Sequence, residues 1–378
     1  MEHQWQTKHW DIHNIVDKGV DNLITHPHIQ EAASWINRDE PVAFPTETVY
    51  GLGANALSDK AVQKIFAAKG RPADNPLIVH ISRVDKLAGI VDKVPDKARI
   101  LMEKFWPGSL TLVLPCGSQV SRIVTAGLDT VAVRMPAHPV ALALIEACGK
   151  PLAAPSANRS GKPSPTRAEH VWHDLAGRIV GVLDGGETGI GLESTVVDVT
   201  GEVPVLLRPG GVTKGELEAV IGPVDADPAL KHSMELARSP QTFRPRSPGM
   251  KYRHYAPDGE VFLVSLAKGI QEMRRFIQDC VNRDRQQGYT VAVLTTDDGL
   301  SCYSADLVLS LGNREELQTV AQRIYDALRQ VDQARMQKIY IESFPPEAVG
   351  EAIMNRLHKA AQGRMLEPRP LSNSSSTH

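Results

Sequence analysis

At 378 residues the chain exceeds one average domain, so two domains are the expectation. Its 42% hydrophobic and 23% charged content is that of an ordinary globular protein, and a formal net charge of -2 excludes a surface built throughout to grip nucleic acid. No apolar run reaches the length of a membrane span, and the polar opening MEHQWQTKHWDIHN lacks a signal-peptide pattern, so a cytoplasmic location is expected.

The apolar spacing of Ile29, Ala32, Ala33 and Ile36 predicts a short amphipathic helix over 29–37, followed by a buried strand over 41–45. Asp59 is the expected N-cap of a helix over 60–68, with Ala61, Val62, Ile65 and Phe66 at helical spacing. Strands are expected over 77–81, 110–114 and 130–134, then a helix over 139–148 and a strand ending at Pro155. Three further strands, 180–184, 194–198 and 204–208, complete a large twisted mixed sheet flanked by helices, assigned to residues 1–224. The proline-rich stretch 225–258 reads as a linker. Beyond it, strands over 261–264, 290–294, 307–310 and 339–342 alternate with helical patterns, which predicts a smaller Rossmann-like parallel α/β domain over 259–362. That domain has no GxGxxG, so no dinucleotide is assigned to it, and the tail 363–378 is expected to be disordered. Cys116, Cys148, Cys280 and Cys302 form no CxxC pair, and the histidines form no HExxH motif, so reduced thiols and no protein-held metal are expected.

Chemistry concentrates in four clusters. Thr46 and Thr48 lie in PTETVYGLG; Lys69 and Arg71 flank Gly70 ahead of Asn75 and His80; Ser156 and Asn158 precede Ser164 in GKPSPT; Ser194 and Arg208 follow on later strands. Taken singly, these are turn residues, a solvated basic turn, a core histidine, a cap and surface arginines. Taken together they are hydroxyls, amides and cations at strand ends, which converge on one crevice in open α/β sheets.

PTETVYGLGANA, KGRPADNPLIVH, APSAN and SPGMKYRHYAP, in that order, resemble the threonylcarbamoyl-AMP synthase family in its longer form, a YrdC-like domain with an additional C-terminal domain. The resemblance covers about residues 29 to 360. It implies joining of L-threonine, bicarbonate and ATP into threonylcarbamoyl-AMP, with release of pyrophosphate. The intermediate would pass to a threonylcarbamoyl-transferase complex that modifies the adenosine beside the anticodon of tRNAs reading ANN codons. Thr48, His80, Arg134, Ala154 (through its backbone) and Ser194 would line the threonine side. Arg71, Asn75, Thr130, Ser156, Ser164, Arg208 and Tyr255 would face ATP, with Lys69 and Asn158 helping to hold phosphates. Mg²⁺ would come bound to ATP and water.

These residue types suit attack of a threonine carbamate on the α-phosphate, a step that needs positioning and charge neutralisation but no enzyme nucleophile. Guanidinium groups grip phosphate or carboxylate through two donors, while Ser156, Asn158 and Ser164 are expected to donate to phosphate oxygens. The basic and aromatic residues of 244–255 are expected to form a lid that excludes water from a labile mixed anhydride. Two other readings compete. A carbamoyltransferase of the hydrogenase-maturation type would bring zinc-binding cysteine pairs, which the sequence lacks. An RNA-binding module would need more stacking aromatics than the 5% present, and direct tRNA binding is left open.

Overall fold

The structure, a computed structural model, describes residues 5–231 and 255–368. The chain divides into two compact units, Met1–Tyr255 and Ala256–His378. The first unit carries strands β1 (Lys8–Asp11), β2 (Val42–Phe44), β3 (Gly51–Asn55), β4 (Ile78–His80), β5 (Leu110–Pro115), β6 (Thr130–Arg134), β7 (Leu152–Ala153), β8 (Gly181–Asp184), β9 (Thr195–Asp198), β10 (Val205–Arg208) and β11 (Asp225–Ala226). They form one mixed sheet in the order β1-β8-β2-β3-β7-β4-β6-β5-β9-β10-β11. Its helices are α1 (Val20–Ile24), α2 (Pro27–Ile36), α3 (Asp59–Lys69), α4 (Asp96–Phe105), α5 (Pro139–Cys148), α6 (Ala168–Leu175), α7 (Lys214–Ile221) and α8 (Pro228–Lys231).

Strand alternation gives the central strands two different faces. Val79, Leu112, Val133, Val197 and Leu206 join Ile65 of α3, Leu101 of α4 and Leu217 of α7 in the main core. Ile78, Val113, Ala132, Val196 and Leu207 form a much smaller apolar patch on the opposite face. That second face carries the polar groups described below.

Two expectations change in this unit. The N-cap of α3 is Ser58, whose extended backbone lets its side chain accept from Ala61 N, while the Asp59 carboxylate accepts from Ser121 Oγ instead. The residues before His26 join the sheet and the core. β1 pairs in parallel with β8, and Trp10, Ile12 and Leu23 are buried against α2 and α5. The linker begins later than expected, because β11 pairs with β10 and so extends the first sheet past residue 224. Residues 232–254, which hold most of the expected lid, and the tail from 369 onward lie outside the described residues.

The second unit is the expected parallel α/β domain, but it runs past residue 362 into the expected disordered tail, where Met365–Leu366 form a strand paired with Leu263–Val264. β12 (Glu260–Val264), β13 (Val291–Thr295), β14 (Leu307–Ser310), β15 (Lys338–Glu342) and β16 (Met365–Leu366) pair in parallel in the order β14-β13-β15-β12-β16. Helices α9 (Ile270–Gln286), α10 (Leu317–Gln333) and α11 (Val349–Ala360) provide its long crossovers. Fully buried Glu342 at the end of β15 accepts from Arg274 Nε (2.9 Å), Tyr303 OH (2.7 Å) and Thr295 Oγ1 (2.8 Å), which closes that strand end with an internal ion network.

Candidate active site

One cross-strand row organises the site. His80 of β4 stands beside Arg134 of β6, Arg134 beside Thr111 of β5, Thr111 beside Val196 of β9, and Val196 beside Arg208 of β10. Neighbours in such a row point to the same face, here the face opposite the main core. Arg208 reaches it through an irregularity. Leu206 faces Val197 in the main core, and simple alternation would send Arg208 the same way. The register instead shifts so that Leu207 and Arg208 both oppose Val196. Such a bulge re-aims the extra side chain, and Arg208 comes out on the cleft side.

Arg134, 3% exposed, is held from three directions. Its Nε donates to Gly108 O (3.1 Å), its Nη1 donates to Thr48 Oγ1 (2.9 Å), and its Nη2 pairs with the Glu47 carboxylate at 2.7 Å. Thr46 Oγ1 donates to Val49 O (2.6 Å) and lies 2.8 Å from Thr48 Oγ1. A threonine has one hydroxyl proton, so with that of Thr46 spent on a carbonyl, Thr48 donates to Thr46. The polarity of the chain is therefore fixed from Arg134 to Val49. His80 packs edge-on against Phe44, with Nδ1 3.2 Å from Ile78 O. Burial, reinforced by the Arg134 charge, pushes its pKa down to about 3, so the ring is neutral.

At the far end of the row, Arg208 donates from Nε to Ser194 O (3.0 Å) and from Nη2 to Ser194 Oγ (3.1 Å), and Ser194 Oγ lies 2.7 Å from Thr111 Oγ1. Between the two ends, α3 stops at Gly70, whose left-handed φ of 62° turns the chain and delivers Arg71. Arg71 Nη2 donates to Asn75 O (3.3 Å) and Pro76 O (3.4 Å). Lys69, the last residue of α3 and 4% exposed, donates from Nζ to the carbonyls of Ser156 and Asn158.

These elements enclose an open cleft of about 630 Å³, solvent included. Its lining brings together Thr48, Arg71, His80, Arg134, Ala154, Ser156, Asn158, Ser164, Ser194, Arg208 and Tyr255 from the sequence-derived set. Lys69, Asn75 and Thr130 are not in that lining. Lys69 fastens the Ser156–Asn158 loop instead. Asn75 is buried beside it with both side-chain amide atoms lacking a hydrogen-bond partner, and Thr130 begins β6 opposite Pro115.

Ser156, Asn158 and Ser164, the expected donors to phosphate, hydrogen-bond within the protein. Ser156 Oγ donates to Asn158 Oδ1, Asn158 Nδ2 donates to Arg159 O (2.8 Å) and Lys162 O (2.9 Å), and Ser164 Oγ donates to Glu193 Oε1 (2.6 Å). In this arrangement their protons are directed to partners within the protein. Thr46, Val49, Gly51, Ile78, Pro155 and Glu193 also line the cleft. Sequence reasoning noticed Thr46 without placing it in the site and passed over Glu193. An acid next to Ser194 in GLEST carries no periodic or spacing signal of its own.

A family model described as "Telomere recombination" matches residues 34–210, and one described as "Threonylcarbamoyl-AMP synthase, C-terminal domain" matches 212–362. Threonylcarbamoyl-AMP synthase from Bacillus subtilis is 54% identical over 363 residues, spanning 96% of this chain and 99% of its own length. The chain belongs to the threonylcarbamoyl-AMP synthase family. A second threonylcarbamoyl-AMP synthase, from Pyrococcus abyssi, is 48% identical over 340 residues, covering 90% of this chain and 95% of its own. The crystal structure of P. abyssi Sua5 complexed with L-threonine superposes with a TM-score of 0.84 at 47% identity, covering 90% of this chain and 96% of that one. Membership of the threonylcarbamoyl-AMP synthase family therefore rests on both units and on the fold as well as the sequence.

Proposed function

We infer that this chain forms threonylcarbamoyl-AMP and pyrophosphate from L-threonine, bicarbonate and ATP. The observation that carries the reading is the placement of two arginines on the cleft face of one cross-strand row, Arg134 on β6 and Arg208 on β10. They stand three strands apart, about 14 Å along the row at the usual inter-strand spacing of roughly 4.8 Å. A row of that backbone width has room for two substrates lying side by side.

Arg134, immobilised by Gly108, Thr48 and Glu47, suits the threonine carboxylate, with His80, Ala154 and Ser194 on the same side. Arg71 and Arg208 suit the phosphates, with Ser156, Ser164 and Tyr255 around the nucleotide and Asn75 and Thr130 behind it. An oxygen of the threonine carbamate attacks the α-phosphorus, the bond from that phosphorus to the bridging oxygen breaks, and pyrophosphate leaves. The protein needs no nucleophile of its own. Its contribution is alignment and fixed positive charge where negative charge accumulates.

Magnesium belongs to the substrate. Among the described residues, no three His, Cys, Asp or Glu side chains gather to hold an ion. Bound to ATP, the ion shields the phosphates. The product, a labile mixed anhydride, passes to a threonylcarbamoyl-transferase that acts on tRNA.

The test is an omission series. With ATP, Mg²⁺, bicarbonate and L-threonine present, pyrophosphate release is expected, and leaving out threonine or bicarbonate stops it. Pyrophosphate release indifferent to threonine, or dependent on carbamoyl phosphate, overturns the reading.

A further inference from the structure

We propose that Thr111 is a positioning residue for the reaction: it directs the single hydroxyl proton of Ser194 into the cleft, where Ser194 donates to an anionic oxygen of the threonine-derived substrate. This rests on the function inferred above.

Protons and lone pairs decide which way these contacts run. Among the described residues, Ser194 Oγ has two polar partners, Arg208 Nη2 at 3.1 Å and Thr111 Oγ1 at 2.7 Å. A guanidinium only donates, so Arg208 fills one lone pair of Ser194. The contact between the two hydroxyls could run in either direction. Thr111, fully buried on β5, lies outside the cleft lining, and Ser194 Oγ is the one partner of its hydroxyl among the described residues. Were Ser194 the donor, the Thr111 proton would be sealed in the sheet without an acceptor, a costly state for a buried hydroxyl. Thr111 therefore donates, and both lone pairs of Ser194 are filled. Ser194 lines the cleft, and that is where its own proton can find an acceptor.

The place in the row suits a donor to substrate. Thr111 stands beside Arg134 of β6 on one side and Val196 of β9 on the other, with Arg208 on the next strand. The Ser194 hydroxyl is thus set between the two arginines, where amino acid and nucleotide meet. Hydrogen bonds in series polarise one another at low dielectric, and here one of the two donors is a cation. A donor already aimed at the site of growing negative charge needs no reorganisation as that charge forms. The other end of the row runs in the opposite sense. Thr48 gives its proton to Thr46 and serves Arg134 as an acceptor, whereas Ser194 is supplied with donors and keeps its proton for the cleft.

The test uses the full chain in a double-mutant cycle of Thr111→Val, which keeps the shape and removes the hydroxyl, with Ser194→Ala. Thr111→Val is expected to lower kcat/KM for threonine about 3- to 10-fold, the equivalent of one neutral hydrogen bond, with the KM for ATP within about threefold. In the Ser194→Ala background the same substitution should change kcat/KM for threonine less than about twofold, because the hydroxyl it orients is gone. Thr111→Ser, which restores the hydroxyl, should stay within about twofold of wild type. A merely structural role for Thr111 costs the same in both backgrounds, and that result overturns the proposal. Unchanged or raised kcat/KM in Thr111→Val also overturns it, since Ser194 would then be the donor to Thr111. Should the valine variant fail to fold, Thr111→Cys, a much weaker donor of similar size, takes its place in the cycle under the same outcomes. Failure of the wild-type chain to release pyrophosphate with threonine would instead sink the function on which the proposal rests.

Discussion

Arg134 Nη1 donates to Thr48 Oγ1 at 2.9 Å across 86 residues of chain, and this contact ties the PTET loop to the end of β6. The guanidinium is oriented because Thr48 spends its own proton on Thr46, leaving its lone pairs to accept. Charged hydrogen bonds of this kind contribute about 1.5–3 kcal/mol.

Thr48→Val keeps the shape and removes the acceptor. The KM for threonine is expected to rise about 10- to 100-fold, the equivalent of that energy, with the KM for ATP within threefold. Steady-state pyrophosphate release at varied threonine measures it, and equal effects on both substrates would refute the assignment.

Lys69 is a fastener of the Ser156–Asn158 loop. Lys69→Met leaves two buried carbonyls without this donor, so a loss of about 1–3 kcal/mol in stability is expected together with lost activity. Urea unfolding monitored by circular dichroism reads the first effect. Full stability with abolished turnover would point to direct phosphate contact.

Buried His80 and half-buried His138 make folding pH-dependent. His80 is held near 3 by burial and Arg134, and His138, the N-cap of α5 that accepts from Val140 N, is pushed down to about 4 by burial. Both stay neutral in the folded protein but protonate near 6.5 when unfolded, so the unfolded state binds more protons as pH falls below 6.5. Stability should therefore be full above about pH 6.5 and decline continuously toward pH 4. His138→Asn, a cap that does not titrate, should flatten part of that slope in urea midpoints measured from pH 7.5 to 4.5.

The proposed arrival of magnesium with the nucleotide has a simple consequence. EDTA should stop pyrophosphate release while leaving the melting temperature of the substrate-free chain unchanged. A fall in melting temperature would reveal a structural ion.

Much of this protein is legible in the sequence because its determinants are local. The apolar spacing of α2 and α3, the glycine that ends α3, the alternating strands and the ordered motifs each act over a few residues, so element types, the two units and most cleft residues follow from them. Element ends were less legible. Ser58 outcompeted Asp59 as a cap only because Ser121, 62 residues away, engages the aspartate. Likewise the segment around Trp10 becomes a strand only because β8 offers it an edge. The tertiary structure alone decided which polar groups face the cleft. Arg208 reaches the cleft through a register shift against β9, the protons of Ser156 and Ser164 are claimed by partners, Lys69 turns inward to two carbonyls, and Glu193 enters the cleft beside Ser164. None of these is encoded in a spacing, because each depends on where a hydrogen-bond partner from a distant strand or loop comes to rest.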